Sequence, residues 1–152
     1  MIRDVILNSG TMYELWQKLI NKEKHSECIR FFAHKKGMRV LDIGCGPGNN
    51  AFRFLDTEYY GFDLSEDYIQ QAESRWKGYD NIHFVCADVN DYFKHGLEEN
   101  NKYDLIIMHG VLHHLTDEEV KHCVSAAKNV LKSDGEFRTL DGIYLMGGGG
   151  TT

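Results

Sequence analysis

The chain has 152 residues, of which 42% are hydrophobic and 26% charged, the balance of one globular domain. Its net charge of −6 is uneven: residues 1–39 carry eight Lys and Arg against four Asp and Glu, and residues 40–152 carry nine against nineteen, an acidic body that disfavours nucleic-acid binding. No segment approaches the ~20 apolar residues of a membrane span, and no cleavable-signal pattern begins the chain, so the sequence predicts a cytoplasmic protein.

Residues 1–37 are predicted to form a separate helical segment. The apolar side chains recur at the spacing of one helix face over residues 11–34, and Gly37 ends the segment. Residues 143–152 include four consecutive glycines and are predicted to be a flexible tail.

Between these segments, residues 38–142 alternate between short apolar runs and helical patterns. The predicted strands are 38–43, 58–62, 82–86, 103–108 and 136–140, and the predicted helices are 49–55, 66–77, 90–97 and 117–132. Ser65 and Thr116 are expected to cap the second and fourth helices. Such alternation predicts a Rossmann-like α/β fold with a mostly parallel sheet of about five strands. Ligands of such sheets bind at the carboxyl ends of the strands.

A glycine-rich loop follows the first predicted strand. It reads Asp42-Ile43-Gly44-Cys45-Gly46-Pro47-Gly48, with glycines at alternate positions. Glycines allow tight turns and a close approach of the backbone to a ligand. A plain turn between strand and helix is the alternative, but the acid before the glycines favours a ligand-binding loop.

Two further acids follow later strands. Asp63 ends the second strand, where a carboxylate can accept hydrogen bonds from both hydroxyls of a ribose. Asp88 follows the third strand, where it could accept from an adenine amine or cap a helix. A nucleoside ligand is therefore expected.

The position of Asp42 favours one class of nucleoside over another. The loop can be aligned with the dinucleotide pattern through Gly46, Gly48 and Ala51. Asp42 would repel a pyrophosphate, however, and would suit a ligand with an ammonium group, such as the methionine part of S-adenosylmethionine (SAM). An NAD-dependent oxidoreductase is therefore the weaker alternative.

The fourth strand is followed by histidines. His109 and His113 are spaced as i and i+4, but no third metal ligand stands at a suitable spacing, so no metal is predicted. A histidine facing the pocket is the preferred interpretation.

In these motifs the chain resembles the class I SAM-dependent methyltransferases, particularly the small-molecule group that includes ubiquinone- and menaquinone-biosynthesis enzymes. The motifs are Val40–Asn49, Gly61–Ser65, Ala87-Asp88, and Tyr103–Ile107 with Val111–Leu115. The resemblance covers roughly residues 38–141 and implies a SAM-dependent enzyme that methylates a small molecule and releases S-adenosylhomocysteine.

The resemblance also implies roles for individual residues. Asp42 and the loop from Gly44 through Cys45 and Gly46 to Gly48 would hold the methionine part. Asp63 and Leu64 would contact ribose and adenine, Asp88 and Val89 the adenine, and Met108 and His109 the methionine end. Tyr13 and Trp16 are candidates for a lid over the ligand, with plain core packing as the alternative that their apolar spacing favours equally. SAM is already activated, so a base is needed only for an acceptor that loses a proton, and His113 is the candidate.

The chain departs from this family at its C-terminal end. The family sheet has seven strands and ends in an antiparallel hairpin, for which residues 143–152 provide no room. We therefore expect a fragment of a longer enzyme, a short homologue that dimerises through the fifth strand, or a non-catalytic SAM-binding module.

Overall fold

The computed structural model describes residues 26–94 and 101–141. The chain divides into two compact units, Met1–Ala33 and His34–Thr152. In the described part of the first unit, residues 26–32 are helical.

Several predicted features fall outside the described residues. These are the lid candidates Tyr13 and Trp16, the tail 143–152, and residues 95–97 of the helix predicted over 90–97. In the ranges that the structure does describe, no helix combines the length and apolar character needed to cross a membrane.

The second unit alternates strands with helices. Its strands are β1 (Arg39–Ile43), β2 (Glu58–Asp63), β3 (Ile82–Cys86), β4 (Tyr103–His109) and β5 (Leu131–Leu140). Its α-helices are α1 (Glu66–Arg75), α2 (Val89–Tyr92) and α3 (Asp117–Val130), and 3-10 turns span Ala51–Phe54 and Leu112–His114.

The five strands form one parallel sheet in the order β3-β2-β1-β4-β5. This confirms the Rossmann-like prediction. The chain builds β2 and β3 on one side of β1 and then crosses to β4 on the other side. The strand order therefore reverses between β1 and β4, and the crevice at their carboxyl ends is where sheets of this kind bind ligands.

Both faces of β1 are buried. Leu41 and Ile43 belong to an apolar cluster that includes Ala127 and Val130 of α3. The alternate residues Val40 and Asp42 are equally inaccessible to solvent. A strand covered on both faces cannot expose a polar side chain, so the burial of Asp42 follows from its place at the centre of the sheet.

The two predicted caps are present. The Ser65 hydroxyl accepts a hydrogen bond from the Tyr68 amide, and the Thr116 hydroxyl accepts one from the Glu119 amide. The Glu119 carboxylate in turn accepts a hydrogen bond from the Thr116 amide at 2.7 Å, which completes a capping box that was not predicted from the sequence.

Several boundaries differ from the sequence prediction. The helix predicted over 90–97 ends already at Tyr92, with Phe93 as its C-cap. The helix predicted over 49–55 is only the 3-10 turn Ala51–Phe54, and Asn50 before it makes no side-chain cap, since its side chain bonds to Asp42 and His109 instead. The helix predicted over 66–77 ends at Arg75.

The last difference concerns β5, which starts at Leu131 rather than Glu136. Because the strand begins there, α3 ends at Val130 and not at residue 132 as predicted. Leu131 pairs with Tyr103 before a register shift, and Lys132 reaches Asp104 at 2.9 Å. These contacts hold the chain against β4 directly after the helix.

Candidate functional site

The loop after β1 owes its path to three glycines with positive φ. Gly44, Gly46 and Gly48 have φ values of 72°, 54° and 78°, in the region that other residues rarely adopt. A Cβ on Gly44 would lie 2.6 Å from Val111 Cγ2, and one on Gly48 would lie 2.9 Å from Phe84 Cζ. A Cβ on Gly46 would meet nothing within 4 Å. Gly44 and Gly48 are therefore required by packing, whereas Gly46 borders open space.

Asp42 is a completely buried carboxylate beneath this loop. Its Oδ2 accepts hydrogen bonds from the Tyr59 hydroxyl at 2.6 Å and the Asn50 amide at 3.2 Å. Within the described residues, its Oδ1 has no hydrogen-bond partner. Burial raises the pKa of Asp42 to about 6 against the opposing effect of the two hydrogen bonds, and Asp63 raises it slightly further. The carboxylate is thus mostly ionised at neutral pH.

Cys45 has a structural role in the loop. It is buried, and a Cβ on Gly61 would lie only 2.8 Å from its side chain. Burial raises the pKa of the Cys45 thiol, and the carboxylates of Asp42 and Asp63 raise it further. The side chain therefore stays a neutral thiol and contributes no nucleophile.

Asp63, the last residue of β2, binds the loops that follow β1 and β2. Its Oδ2 accepts the amide hydrogen of Gly46 at 2.9 Å, and its Oδ1 accepts that of Ser65 at 2.9 Å. Each carboxylate oxygen has two lone pairs, so both oxygens retain an acceptor site for a ligand. Asp63 therefore shapes the glycine loop as well as bordering the pocket.

Leu64 follows β2 and Asp88 follows β3, and both line the same crevice. Asp88 caps α2, with its Oδ1 accepting from the Asp91 amide at 2.7 Å. Leu64 is 75% exposed although its side chain is apolar. The capping role considered for Asp88 is therefore present, and it occupies one carboxylate oxygen.

The end of β4 brings His109 to the same crevice. Met108 is buried, whereas the next residue, His109, is exposed and its Nδ1 lies 3.2 Å from Asn50 Oδ1. Burial and the Arg53 guanidinium lower the pKa of His109, although Asp141 opposes them. His109 is accordingly a neutral imidazole at pH 7.

His113 pairs with an acid that the sequence analysis missed. Its Nδ1 lies 2.9 Å from Asp141 Oδ1, which also accepts from the His113 amide at 3.4 Å. Asp141 directly follows β5, so the rule that drew attention to Asp63 and Asp88 would have found it. The His113 ring contacts that of His114 at 3.9 Å.

These elements enclose a pocket of about 520 Å³ at the carboxyl ends of the strands. Eight of the predicted site residues line it: Gly44, Gly46, Asp63, Leu64, Asp88, Val89, Met108 and His109. Four do not, namely Asp42, Cys45, Gly48 and His113, although all of them except Gly48 adjoin a lining residue in the sequence. The lining also includes Tyr68, His114 and Glu119, which the sequence analysis did not select. The described residues contain no group of three or more His, Cys, Asp or Glu side chains that could hold a metal ion.

Comparison with known proteins identifies this arrangement. The sequence model of the methyltransferase domain family matches residues 34–143. The chain is 33% identical over 106 residues to the ubiquinone biosynthesis O-methyltransferase of Glaesserella parasuis, covering 65% of this chain and 43% of that protein. It is 30% identical over 150 residues to the highly reducing polyketide synthase gloL of Glarea lozoyensis, covering 88% of this chain and 6% of the synthase.

The crystal structure of the YcgJ protein from Bacillus subtilis has a similar fold. It superposes with a TM-score of 0.63 at 28% identity, over 76% of this chain and 49% of that one. The chain therefore spans about half or less of the length of these relatives.

Proposed function

We propose that this chain, which belongs to the methyltransferase domain family, binds SAM in the crevice between β1 and β4 and transfers its methyl group to a small molecule. The observation that carries the proposal is the glycine loop above Asp42, a buried carboxylate with one oxygen that lacks a partner among the described residues. Bound SAM would supply an activated methyl group on a sulfonium.

The residues present fit a cationic nucleoside of this size. The open space at Gly46 leaves room for a ligand against the loop backbone. The buried charge of Asp42 favours a cation in the adjoining pocket and disfavours a pyrophosphate. The same repulsion disfavours NAD, which carries a pyrophosphate.

Each lining residue then takes one part of the ligand. Asp63 would accept from the ribose hydroxyls through its remaining lone pairs. Asp88 would read the adenine amine with its second oxygen, while Leu64 and Val89 pack on the ring. Gly44 and Gly46 of the loop, together with Met108 and His109, would surround the methionine end. Cys45 and Gly48 would keep the loop in shape behind them.

His113 would serve as the base for an acceptor that loses a proton. Asp141 Oδ1 accepts from Nδ1–H, so the lone pair of neutral His113 is at Nε2. In the described residues Asp141 Oδ2 has no hydrogen-bond partner. The acidic partner would stabilise the imidazolium formed when the proton is taken.

Calorimetric titration with SAM and S-adenosylhomocysteine tests the shared part of the proposal. Saturable binding of both is expected, and no binding at high micromolar ligand would contradict it. A panel of small-molecule acceptors incubated with methyl-labelled SAM then separates an enzyme from a non-catalytic SAM-binding module. Label transfer to any acceptor supports the enzyme, and binding without transfer supports the module.

A further inference from the structure

A chain of hydrogen bonds connects the buried acid to the pocket wall. Tyr59 and Asn50 both contact Asp42 Oδ2, and Asn50 in turn contacts Nδ1 of His109. His109 lines the pocket, whereas Asp42 and Asn50 do not. Asn50 is therefore the link through which the acid and the pocket wall are connected.

The chemistry of Asp42 fixes the orientation of the Asn50 amide. An ionised carboxylate only accepts hydrogen bonds, so Asn50 must direct its Nδ2 at Asp42. The amide oxygen Oδ1 then faces His109. The opposite orientation would place an amide oxygen against a carboxylate oxygen with no hydrogen between them.

The orientation of Asn50 in turn fixes the tautomer of His109. An amide oxygen only accepts, so Nδ1 of His109 must carry a hydrogen. The lowered pKa of His109 keeps the ring neutral at pH 7, and a neutral imidazole with a hydrogen on Nδ1 has its lone pair on Nε2.

We propose that Asn50 is a positioning residue that holds His109 in the neutral Nδ1–H tautomer, so that Nε2 is an acceptor for a cationic N–H donor of the ligand. This inference rests on the proposed function where it concerns the ligand. The ligand class is an amino-acid ammonium, since the ionised Asp42 at the other end of the chain and Asp141 beside His109 favour positive charge nearby, against the opposing effect of the Arg53 guanidinium. A neutral group lacks that attraction.

Nuclear magnetic resonance tests the tautomer without any ligand. Histidine ¹⁵N correlation spectra of the full chain distinguish Nδ1–H from Nε2–H, and the signals of His109 are identified by their loss in His109→Gln. We expect the Nδ1–H tautomer in the wild type at pH 7.5 and its loss in Asn50→Ala. The matched control is Asn49→Ala, because the neighbouring Asn49 bonds to Arg75 at 2.8 Å instead, and it should leave the tautomer unchanged. A wild-type Nε2–H tautomer, or one unchanged in Asn50→Ala, would overturn the proposal.

Calorimetry with two probes tests the ligand class. S-adenosylhomocysteine carries the ammonium, and 5′-methylthioadenosine lacks the whole amino-acid part. Asn50→Ala should weaken binding of the first about tenfold, the effect of one lost hydrogen bond, and leave the second unchanged. Equal weakening of both would overturn the assignment of the ligand class.

The two tests separate this proposal from the proposed function. Absence of S-adenosylhomocysteine binding to the wild type would contradict the proposed function and, with it, the ligand class. The tautomer assignment would be unaffected, because its spectra are recorded without a ligand.

Discussion

The Tyr59 hydroxyl donates a 2.6 Å hydrogen bond to Asp42 Oδ2 between two strands of the sheet, and both side chains are inaccessible to solvent. Burial disfavours the charged form of Asp42, and this bond partly offsets the cost. Burial also raises the pKa of Tyr59, with the Asp42 charge adding to it, so the tyrosine remains the donor. The pair is therefore a stability element that also sets the charge beneath the glycine loop.

Tyr59→Phe removes this donor and keeps the ring. We expect the free energy of unfolding at pH 7.5 to fall by about 1–3 kcal/mol, the cost of leaving a buried acceptor without its partner. Urea unfolding measures it. Tyr60→Phe is the control. Tyr60 is the next residue of the same strand, and the side-chain donors to Asp42 are Tyr59 and Asn50, not Tyr60. A loss no larger than that of the control would contradict the role of the bond.

The raised pKa of Asp42 predicts a specific dependence of stability on pH. The folded carboxyl has a pKa of about 6 against an ordinary value of 3.8. Between these values the folded state binds more protons, so the free energy of unfolding falls as pH rises through the window. The total effect is roughly 3 kcal/mol, fully present below pH 4 and lost above pH 6.

Other carboxyls titrate in the same range, so the measurement is the difference between wild type and Asp42→Asn. The neutral amide cannot titrate. We expect wild-type stability relative to the variant to decline from pH 4 to pH 6.5 and then level off. A constant difference across this range would show that Asp42 has an ordinary pKa.

Gly46→Val tests the space against the loop. Gly46 has open space at its Cβ position and lines the pocket, so valine should abolish SAM binding measured by calorimetry. Its φ of 54° also strains any side chain. Gly37→Val is the matched control, because Gly37 has a φ of 82° and open space but does not line the pocket. Equal SAM affinity in a folded Gly46→Val would contradict the site.

Asp63→Ala removes the proposed contact with the ribose. We expect SAM binding to weaken by about 1–3 kcal/mol, the value of charge-assisted hydrogen bonds. Part of the loss would come from the Gly46 amide, which Asp63 holds at 2.9 Å. Asp63→Asn, which keeps one acceptor oxygen, should lose less. The control is Asp80→Ala, at an exposed position, which should keep the wild-type affinity for SAM. If Asp63→Ala bound SAM as tightly as this control, the contact between Asp63 and the ribose would be excluded.

The sequence was sufficient for the sheet because the apolar runs of β1 to β4 are short and separated by polar turns. It predicted the end of β5 at Leu140 correctly but missed its start, where the long-range pairing of Leu131 with Tyr103 overrides the turn signal of Ser133 and Gly135. Local pattern carries no information about such a pairing.

The candidate site was predictable to a similar extent. Glycines and acids at strand ends mark the pocket because their positions follow from the parallel topology. The partners of Asp42 were not predictable, since Tyr59 stands 17 residues away and reaches it only through the register of β1 with β2. The pairing of Asp141 with His113 was unpredictable for the same reason, because the two residues stand 28 positions apart, although the position of Asp141 after β5 would have marked it as a strand-end acid.

The pair of His113 and Asp141 yields a kinetic prediction once the panel has identified an acceptor that loses a proton. His113→Gln should lower kcat by about 10²–10⁴-fold, the range of general base catalysis, with little change in the KM for SAM because His113 does not line the pocket. Asp141→Asn should lower kcat by a smaller factor, since the base remains but loses the charge that stabilises its protonated form. His83→Gln is the control, because His83 faces Glu58 on β2 and should keep the wild-type kcat. A His113→Gln variant with the kcat of the control would remove His113 from the mechanism and leave the pocket-lining histidines as the remaining candidates.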